Sequence, residues 1–362
     1  MSAPTLLRPR ATVAALPAYV AGRRAPATAG LPLTAALAAN ESHHPPLPAV
    51  LEVVRAQAAD LNRYPDPAST QLRERLGDHL GVGADEIAVG PGSVGVLAQV
   101  LAAVCDAGDE VVFAWRSFEA YPILTTLAGA VPVPVPLRDD ERHDLTAMAA
   151  AVTDRTRAVL LCSPNNPTGV AIGKGEFERF LAAVPAHVLV VVDEAYLEYA
   201  HGQGPDALAW HRRVGNLCVL RTFSKAHGLA GLRVGYAVTN PDLAEGLRRV
   251  GLPFAVSALA QRAAVASLDA VDQMRERVAG TTAERARVTA VLRGAGWTVP
   301  DSAANFVWLR TDDVRRAELL AAFDAAGVLV RGYPGDGIRI TLADPATNDR
   351  VLDVLAAGAH RW

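Results

Sequence analysis

The chain has 362 residues, of which 51% are hydrophobic and 20% charged, a composition typical of a soluble globular protein with room for two domains. Its 35 basic and 38 acidic residues give a net charge of −3, which argues against nucleic acid or an anionic membrane surface as a partner and favours small molecules. Three widely spaced cysteines and the lack of a long apolar run predict a cytoplasmic protein with no disulfide and no metal site.

Residues 1–45 are rich in Ala, Pro and Arg with weak periodicity, which predicts an N-terminal arm that lies over another surface, often that of a second subunit. From 46 to 240, helical segments alternate with short apolar runs bounded by turn residues. The runs are EIAVG, DEVVFAW, VPVPV, AVLLCSP, VLVVVDEA, NLCVLRTFS and GLRVGYAV. This alternation predicts a large α/β domain with a mostly parallel sheet covered by helices on both faces.

After residue 240 the pattern changes. An Ala/Arg/Glu-rich helical stretch over 257–296 is followed by three short apolar segments, NFVWLR, GVLVRGY and GIRITLA, with helical sequence between them. Such a pattern is typical of an α+β unit, and it predicts a smaller C-terminal domain over 241–362.

Polar residues follow three of the predicted strands at the point where each strand ends. They are SPNNPTG (163–169) after AVLLC, DEAY (193–196) after VLVVV, and RTFSK (221–225) after NLCVL. Ligands of an open α/β sheet bind beyond the carboxyl ends of its strands, so these residues are the first candidates for a site. Taken one at a time, each motif is explained by local structure, as a turn, a helix cap or a solvated lysine.

The order of these motifs is more specific than any one of them. NPTG, then DEAY, then Ser224-Lys225 with Arg233 eight residues later resembles the fold-type I pyridoxal-5'-phosphate (PLP) aminotransferases, and most closely their histidinol-phosphate and aromatic (phenylalanine) branch. The resemblance covers nearly the whole chain, including NRYPD, WRSFEAY and GIRIT. It implies the three-layer PLP-transferase fold, PLP as cofactor, and a homodimer whose sites are shared between subunits.

The resemblance also implies three catalytic residues, Lys225, Asp193 and Tyr196. Lys225 would bind the cofactor aldehyde covalently and later move a proton, so its amine has to be able to lose its charge. Burial and the positive charge of Arg233 are expected to lower the pKa of Lys225 for this purpose. Asp193 would hold a proton on the cofactor's ring nitrogen, which keeps the ring able to accept electrons.

Further residues are implied for cofactor and substrate. Tyr196 and Asn166 would bind the ring oxygen, and Phe118 would stack on the ring. The phosphate would be held by Tyr64 of the other subunit, the backbone N–H groups of Ser93 and Val94, and the side chains of Thr222, Ser224 and Arg233. The substrate would be bound by Tyr19, Asn40, His44, Asn166, Arg331 and Arg339, with Arg339 gripping the α-carboxylate.

The chain departs from the family pattern at three places. Val94-Gly95 follows Ser93 where acidic residues are usual, a change that leaves the backbone donors in place. His44 stands where relatives carry an aromatic residue, and His227 replaces a common Tyr or Phe. Packed or solvent-facing histidines are the alternative for both. If His44 points into the substrate pocket, it favours polar or hydroxylated aromatic side chains, and His44→Phe shifts preference toward phenylalanine about tenfold.

The predicted function is PLP-dependent transamination of an aromatic amino acid, of phenylalanine or tyrosine type, with 2-oxoglutarate. Histidinol-phosphate aminotransferase is an alternative, because Tyr19 and Arg331 match positions that this family uses for the substrate phosphate. A PLP-dependent decarboxylase of the threonine-phosphate type is a third reading, since it uses almost the same scaffold but releases CO2.

Overall fold

A computed structural model describes residues 9–17 and 35–359 of the chain. In these ranges the strands are β1 (Ala35–Ala36), β2 (Ile87–Gly90), β3 (Glu110–Trp115), β4 (Val131–Pro136), β5 (Thr156–Cys162), β6 (Leu189–Asp193), β7 (Leu217–Thr222), β8 (Gly235–Val238), β9 (Phe306–Arg310), β10 (Val328–Leu329), β11 (Arg331–Tyr333) and β12 (Gly337–Thr341). The α-helices are α1 (Ala11–Ala14), α2 (Pro48–Gln57), α3 (Thr70–Leu80), α4 (Gly92–Val104), α5 (Ala120–Leu127), α6 (Leu145–Ala150), α7 (Lys174–Ala183), α8 (Ala207–His211), α9 (Pro241–Val250), α10 (Ala258–Asp269), α11 (Val271–Gly294), α12 (Asp313–Ala325) and α13 (Pro345–Ala359).

A seven-stranded sheet in the order β2-β8-β7-β6-β5-β3-β4 forms the centre of the large unit. Neighbouring strands are parallel except for β8, which runs antiparallel to β2 and β7. The predicted mostly parallel sheet is therefore confirmed. The VPVPV run forms edge strand β4, where Val131 donates to the carbonyl of Asp109 in the turn before β3. The alternating prolines therefore lack N–H groups only on the side without a neighbouring strand, as expected for an edge.

Side chains of the central strands point alternately to the two faces of this sheet. Along β5, Val159 and Leu161 pack into a core with α2, α3, α7 and α10, whereas Ala158 and Leu160 pack into a second core with α4, α5 and α9. Burial on both faces explains why these strands are almost continuously apolar in sequence.

A third core belongs to the C-terminal part. The antiparallel sheet β11-β12-β9 packs with α11, α12 and α13, and the arm residues Ala35 and Leu37 complete this core through the pairing of β1 with β10. The single helical stretch read from sequence divides at Ala270 into α10 and α11. Because α9 contacts α4 and α10 contacts α2 and α3, both helices pack on the large unit, and the domain boundary at 240 stays a prediction.

The strand register brings the functional motifs together. Cys162, Asp193 and Leu220 are neighbours across β5, β6 and β7, so the segments that follow these strands emerge side by side at one edge of the sheet. Among the described residues no helix has the length and apolarity needed to span a membrane, and no cluster of His, Cys, Asp and Glu is arranged to hold a metal ion.

Candidate active site

A cavity of about 500 Å³ lies at the carboxyl ends of the large sheet, between the sheet and the C-terminal core. Most of the site residues predicted from sequence line it. They are Asn40, Ser93, Val94, Phe118, Asn166, Asp193, Tyr196, Thr222, Ser224, Lys225, Arg233, Arg331 and Arg339. The fold thus gathers side chains that are spread over 300 positions of sequence into one space.

Lys225 lies three residues beyond β7, and its amine projects into the cavity. Nζ donates to the carbonyl oxygen of Ala39 at 3.0 Å and lies 5.8 Å from the centre of the Tyr196 ring. Burial, the largest cause, acts together with the positive charges of Arg339 and Arg233 to lower the pKa of Lys225 to about 7. The predicted direction is confirmed, with Arg339 as the stronger of the two cationic neighbours. At neutral pH a large fraction of this amine is uncharged.

Asp193 is the buried last residue of β6. One carboxylate oxygen accepts from the Tyr121 hydroxyl at 2.9 Å, and the other accepts from the Ala195 N–H at 3.2 Å. Burial raises the pKa of Asp193 to about 6, although both hydrogen bonds act in the opposite direction. No basic side chain of the described residues is within ion-pair distance of this carboxylate, so a cationic ring nitrogen would find a counterion here.

Tyr121 contacts Asp193 and was not identified as a candidate from the sequence. It lies in the first turn of α5, and burial together with the Asp193 charge raises the pKa of Tyr121 well above its usual value. Its hydroxyl therefore stays protonated and donates. Tyr121 follows Phe118 by three residues in WRSFEAY, and the two rings meet edge to face at 5.6 Å.

A corner of the cavity is rich in hydrogen-bond donors. The N–H groups of Ser93 and Val94 are in the first turn of α4, where backbone N–H groups have no partner within the helix. The hydroxyls of Thr222 and Ser224 lie 3.0 Å apart beside them, and Nη1 of Arg233 lies 3.4 Å from the Ser224 oxygen. Helix terminus, hydroxyls and guanidinium together form a site suited to a phosphate.

Two glycines allow this corner to close. A Cβ on Gly92, which has φ of +78°, would lie 2.5 Å from Nη2 of Arg233. A Cβ on Gly235 would lie 2.4 Å from the backbone nitrogen of Ser93. Both are too short for real contacts, so any larger residue at either position would push the donors apart.

Arg339 of β12 is a buried cation in the part of the cavity nearest the C-terminal core. Nη1 donates to Oδ1 of Asn166 at 2.5 Å and Nη2 to the carbonyl of Ala38 at 2.7 Å, while Nε has no partner. Rings of Phe306 and Tyr333 lie 5.5 and 5.7 Å from its guanidinium carbon. Since both protein acceptors are neutral, the guanidinium still lacks the anion that its burial calls for.

Arg331 of β11, unlike Arg339, forms an ion pair with a carboxylate. Its Nη2 lies 2.7 Å from a carboxylate oxygen of Glu119, and both residues line the cavity. The Arg331 guanidinium carbon lies 5.4 Å from the centre of the Tyr333 ring. Glu119 was not identified from sequence, because nothing in WRSFEAY shows that it meets a strand more than two hundred residues later.

Asn40 joins the N-terminal segment to both units. Its side-chain amide donates to the Tyr196 hydroxyl at 2.9 Å, and its oxygen accepts from the Thr341 hydroxyl at 3.0 Å. Asn40 adopts φ of +54°, a conformation that asparagine tolerates better than most residues. Through Asn40 the arm fixes the orientation of Tyr196 at the cavity wall.

Two predicted site residues, Tyr64 and His44, do not line this cavity. Tyr64 is 82% exposed and stacks on Phe254 with ring centres 4.6 Å apart, so its contact with a second subunit stays a prediction. His44 is half-buried next to His43, with ring centres 3.9 Å apart, and does not line the cavity. Tyr19 lies outside the described residues.

His227, by contrast, behaves as a packed residue. It is buried, its Nδ1 lies 2.7 Å from the Ser267 hydroxyl, and burial lowers the pKa of His227 to about 4. Its ring is 4.7 Å from that of Phe223. His227 therefore packs beneath the Lys225 turn and does not line the cavity.

Comparisons with known proteins agree with this geometry. The family model described as "Aminotransferase class I and II" matches residues 34–355. An aromatic amino acid aminotransferase of Streptomyces coelicolor is 51% identical over 95% of this chain and 96% of its own length, and one of Mycolicibacterium smegmatis is 47% identical over 98% and 96%. A crystal structure of histidinol-phosphate aminotransferase from Sinorhizobium meliloti in complex with pyridoxal-5'-phosphate superposes with a TM-score of 0.87 at 29% identity, covering 98% of each chain.

Proposed function

The chain belongs to the class I and II aminotransferase family, and we propose that it transfers the amino group of an aromatic amino acid to 2-oxoglutarate. The enzyme thus acts on an amino acid and an oxo acid. Relatives about half identical over nearly the whole chain carry the name aromatic amino acid aminotransferase, which supports the aromatic substrate. The observation that carries the proposal is the meeting of Lys225, Asp193 and Arg339 in one cavity.

We propose PLP as the cofactor, because three features of the cavity match three of its polar groups. Lys225, with its lowered pKa, suits the aldehyde; Asp193 suits the ring nitrogen; and the donor-rich corner around Ser93 and Arg233 suits the phosphate. When bound, PLP supplies an electron sink that stabilises negative charge at the substrate's α-carbon.

The proposed roles of the chain's own residues follow from their positions. Lys225 would accept and return a proton, which an amine with pKa of about 7 does efficiently near neutral pH. Asp193, oriented by Tyr121, would hold a proton on the ring nitrogen. Arg339 would bind the substrate carboxylate through its two Nη groups, which now contact Asn166 and the Ala38 carbonyl.

We also propose a homodimer with shared sites, and a cytoplasmic location remains a prediction. Exposed apolar side chains beside Tyr64 support a subunit contact there. Leu61 is 70% exposed, Leu252 78%, and Phe254, which stacks on Tyr64, 42%. Such a concentration of exposed large apolar residues is typical of an interaction surface.

The test is a panel of amino donors with 2-oxoglutarate, in which oxo-acid product, glutamate and CO2 are measured together. We expect phenylalanine and tyrosine to give the highest kcat/KM, with one 2-oxoglutarate consumed for each oxo acid formed. A higher kcat/KM for histidinol phosphate would establish the alternative aminotransferase activity instead. Release of CO2 without consumption of 2-oxoglutarate would establish a decarboxylase.

A further inference from the structure

Thr341 is the last residue of β12, and it does not line the cavity itself. Its side chain is buried, with 1% of the residue exposed. The Thr341 hydroxyl oxygen accepts from the backbone N–H of Asn40 at 3.0 Å, and the hydroxyl donates to Oδ1 of Asn40, also at 3.0 Å. One hydroxyl thus makes two hydrogen bonds to one residue that lies 301 positions away in sequence.

Asn40 passes this arrangement on to Tyr196. Because Oδ1 of Asn40 accepts from Thr341, the opposite side of the amide faces Tyr196, and Nδ2 donates to the Tyr196 hydroxyl oxygen at 2.9 Å. Among the described residues no group accepts the hydroxyl proton of Tyr196. Since Tyr196 lines the cavity, this proton is available to an acceptor that binds there.

We infer that Thr341 is a positioning residue, which holds the Asn40 amide in the orientation that makes Tyr196 a hydrogen-bond donor toward the ring oxygen of the cofactor. The inference deepens the proposed function and rests on it, since it concerns how Tyr196 meets the proposed PLP.

An Asn40 amide in the reverse orientation would have the opposite effect on Tyr196. Oδ1 would then face the Tyr196 hydroxyl and accept its proton, so the ring oxygen of the cofactor would lose a donor. The Thr341 hydroxyl disfavours this orientation. Its hydrogen has no other acceptor among the described residues, and it would be left unpaired in a buried place.

Backbone contacts keep Asn40 beside Thr341. The Thr341 N–H donates to the carbonyl of Leu37 at 3.0 Å, and Nδ2 of Asn305 donates to the carbonyl of Asn40 at 3.2 Å. Asn40 itself is 1% exposed. Because the backbone on both sides is fixed, the Thr341 hydroxyl decides which end of the Asn40 amide faces Tyr196.

The experiment follows the absorption band of PLP bound to Lys225 as a function of pH in the holoenzyme. The proton on the nitrogen that joins Lys225 to PLP is held partly by the negative ring oxygen, so loss of a donor to that oxygen raises the midpoint of the titration. Thr341→Val keeps the shape of threonine but has no hydroxyl. It should raise the midpoint by about half a pH unit, the effect of weakening one hydrogen bond. Thr341→Ser keeps the hydroxyl and should keep the wild-type midpoint.

Tyr196→Phe separates a positioning role of Thr341 from a merely structural one. Removing the donor outright should raise the midpoint by about one pH unit, and Thr341→Val should add nothing in that background. Thr341→Ala, a second variant without the hydroxyl, should give a rise of the same sign as Thr341→Val. An unchanged midpoint in both hydroxyl-free variants, or the same rise with and without the Tyr196 hydroxyl, would overturn the inference.

Infrared spectra of the full chain without PLP give a second measurement that needs no cofactor. The C–O stretch of the Tyr196 phenol, identified by its loss in Tyr196→Phe, reports whether the hydroxyl donates or accepts. We expect this band to shift in Thr341→Val and to stay in place in Thr341→Ser, and an unshifted band in Thr341→Val would contradict the inference. Wild-type protein that shows no PLP band would refute the proposed cofactor, whereas the infrared shift would still decide the role of Thr341.

Discussion

The two halves of the cavity are built in different ways. In the cofactor half, the important groups stand at the ends of β6 and β7 and at the start of α4, so each is fixed by one element of the large sheet. In the substrate half, Arg339 bonds to Asn166 and Ala38, and Arg331 to Glu119, across 173, 301 and 212 positions of sequence. The first half depends on strand register, and the second depends on how the two units pack against each other.

The largest expected effect is in the cofactor half. Lys225→Ala should abolish turnover and remove the absorption band of covalently bound PLP while the fold is kept, because no other group in the cavity can provide the amine. Lys174→Ala is the matched control, since Lys174 is the chain's other lysine and lies exposed at the start of α7. Lys225→Ala protein that keeps the wild-type band would refute the assignment.

A smaller but still large effect is expected at Asp193. Asp193→Asn removes the buried charge that would hold the ring proton and leaves the shape and the Tyr121 contact nearly intact. PLP should remain bound, and kcat should fall about 100-fold or more, the scale of losing one electrostatic stabiliser. The measurement is kcat with phenylalanine at saturating PLP. A wild-type rate would mean that the partner of the ring nitrogen lies elsewhere.

In the substrate half, Arg339→Lys tests whether both substrates use one carboxylate site. Lysine keeps the charge but loses the two parallel donors, so kcat/KM should fall in parallel, roughly tenfold or more, for amino donors and for 2-oxoglutarate. Full kinetics with phenylalanine, tyrosine and 2-oxoglutarate give the answer. Loss for a single substrate would assign Arg339 to side-chain recognition.

The smallest effect is expected at His44, outside both halves. Its backbone N–H donates to Ser42 and its ring meets His43, but it does not line the cavity of its own chain. His44→Phe should therefore change the phenylalanine-to-tyrosine ratio of kcat/KM by less than about twofold, below the roughly tenfold effect of one substrate contact. A tenfold shift of this ratio toward phenylalanine would show that His44 contacts the substrate side chain.

The same contrast explains what sequence could predict. Apolar runs bounded by turn residues predicted the large sheet, and polar residues at strand ends made Asp193 and Lys225 candidates, which the family resemblance then assigned to a site. The break at Ala270 was missed because the sequence stays helix-favouring through it. Tyr121 and Glu119 were missed because a side chain's partner across the fold is set by packing, which local periodicity does not encode.

Residues of the substrate half were harder to predict from sequence for the same reason. Resemblance placed Arg331 and Arg339 near a substrate, but sequence gave no means to distinguish a neutralised arginine from one without an anion. That difference depends on which loop of the large unit reaches each strand of the small sheet. It therefore emerges only from the three-dimensional arrangement.

The most direct test of the account uses the fact that the chain contains two lysines, Lys174 and Lys225. Holoenzyme is reduced with borohydride, which fixes PLP to the amine that carries it, and the modified peptide is identified by mass spectrometry. We expect the cofactor mass on the peptide that contains Lys225, at about one per chain, with Lys174 unmodified. Labelling of Lys174 with Lys225 unlabelled, or no labelled lysine in active enzyme, would contradict it.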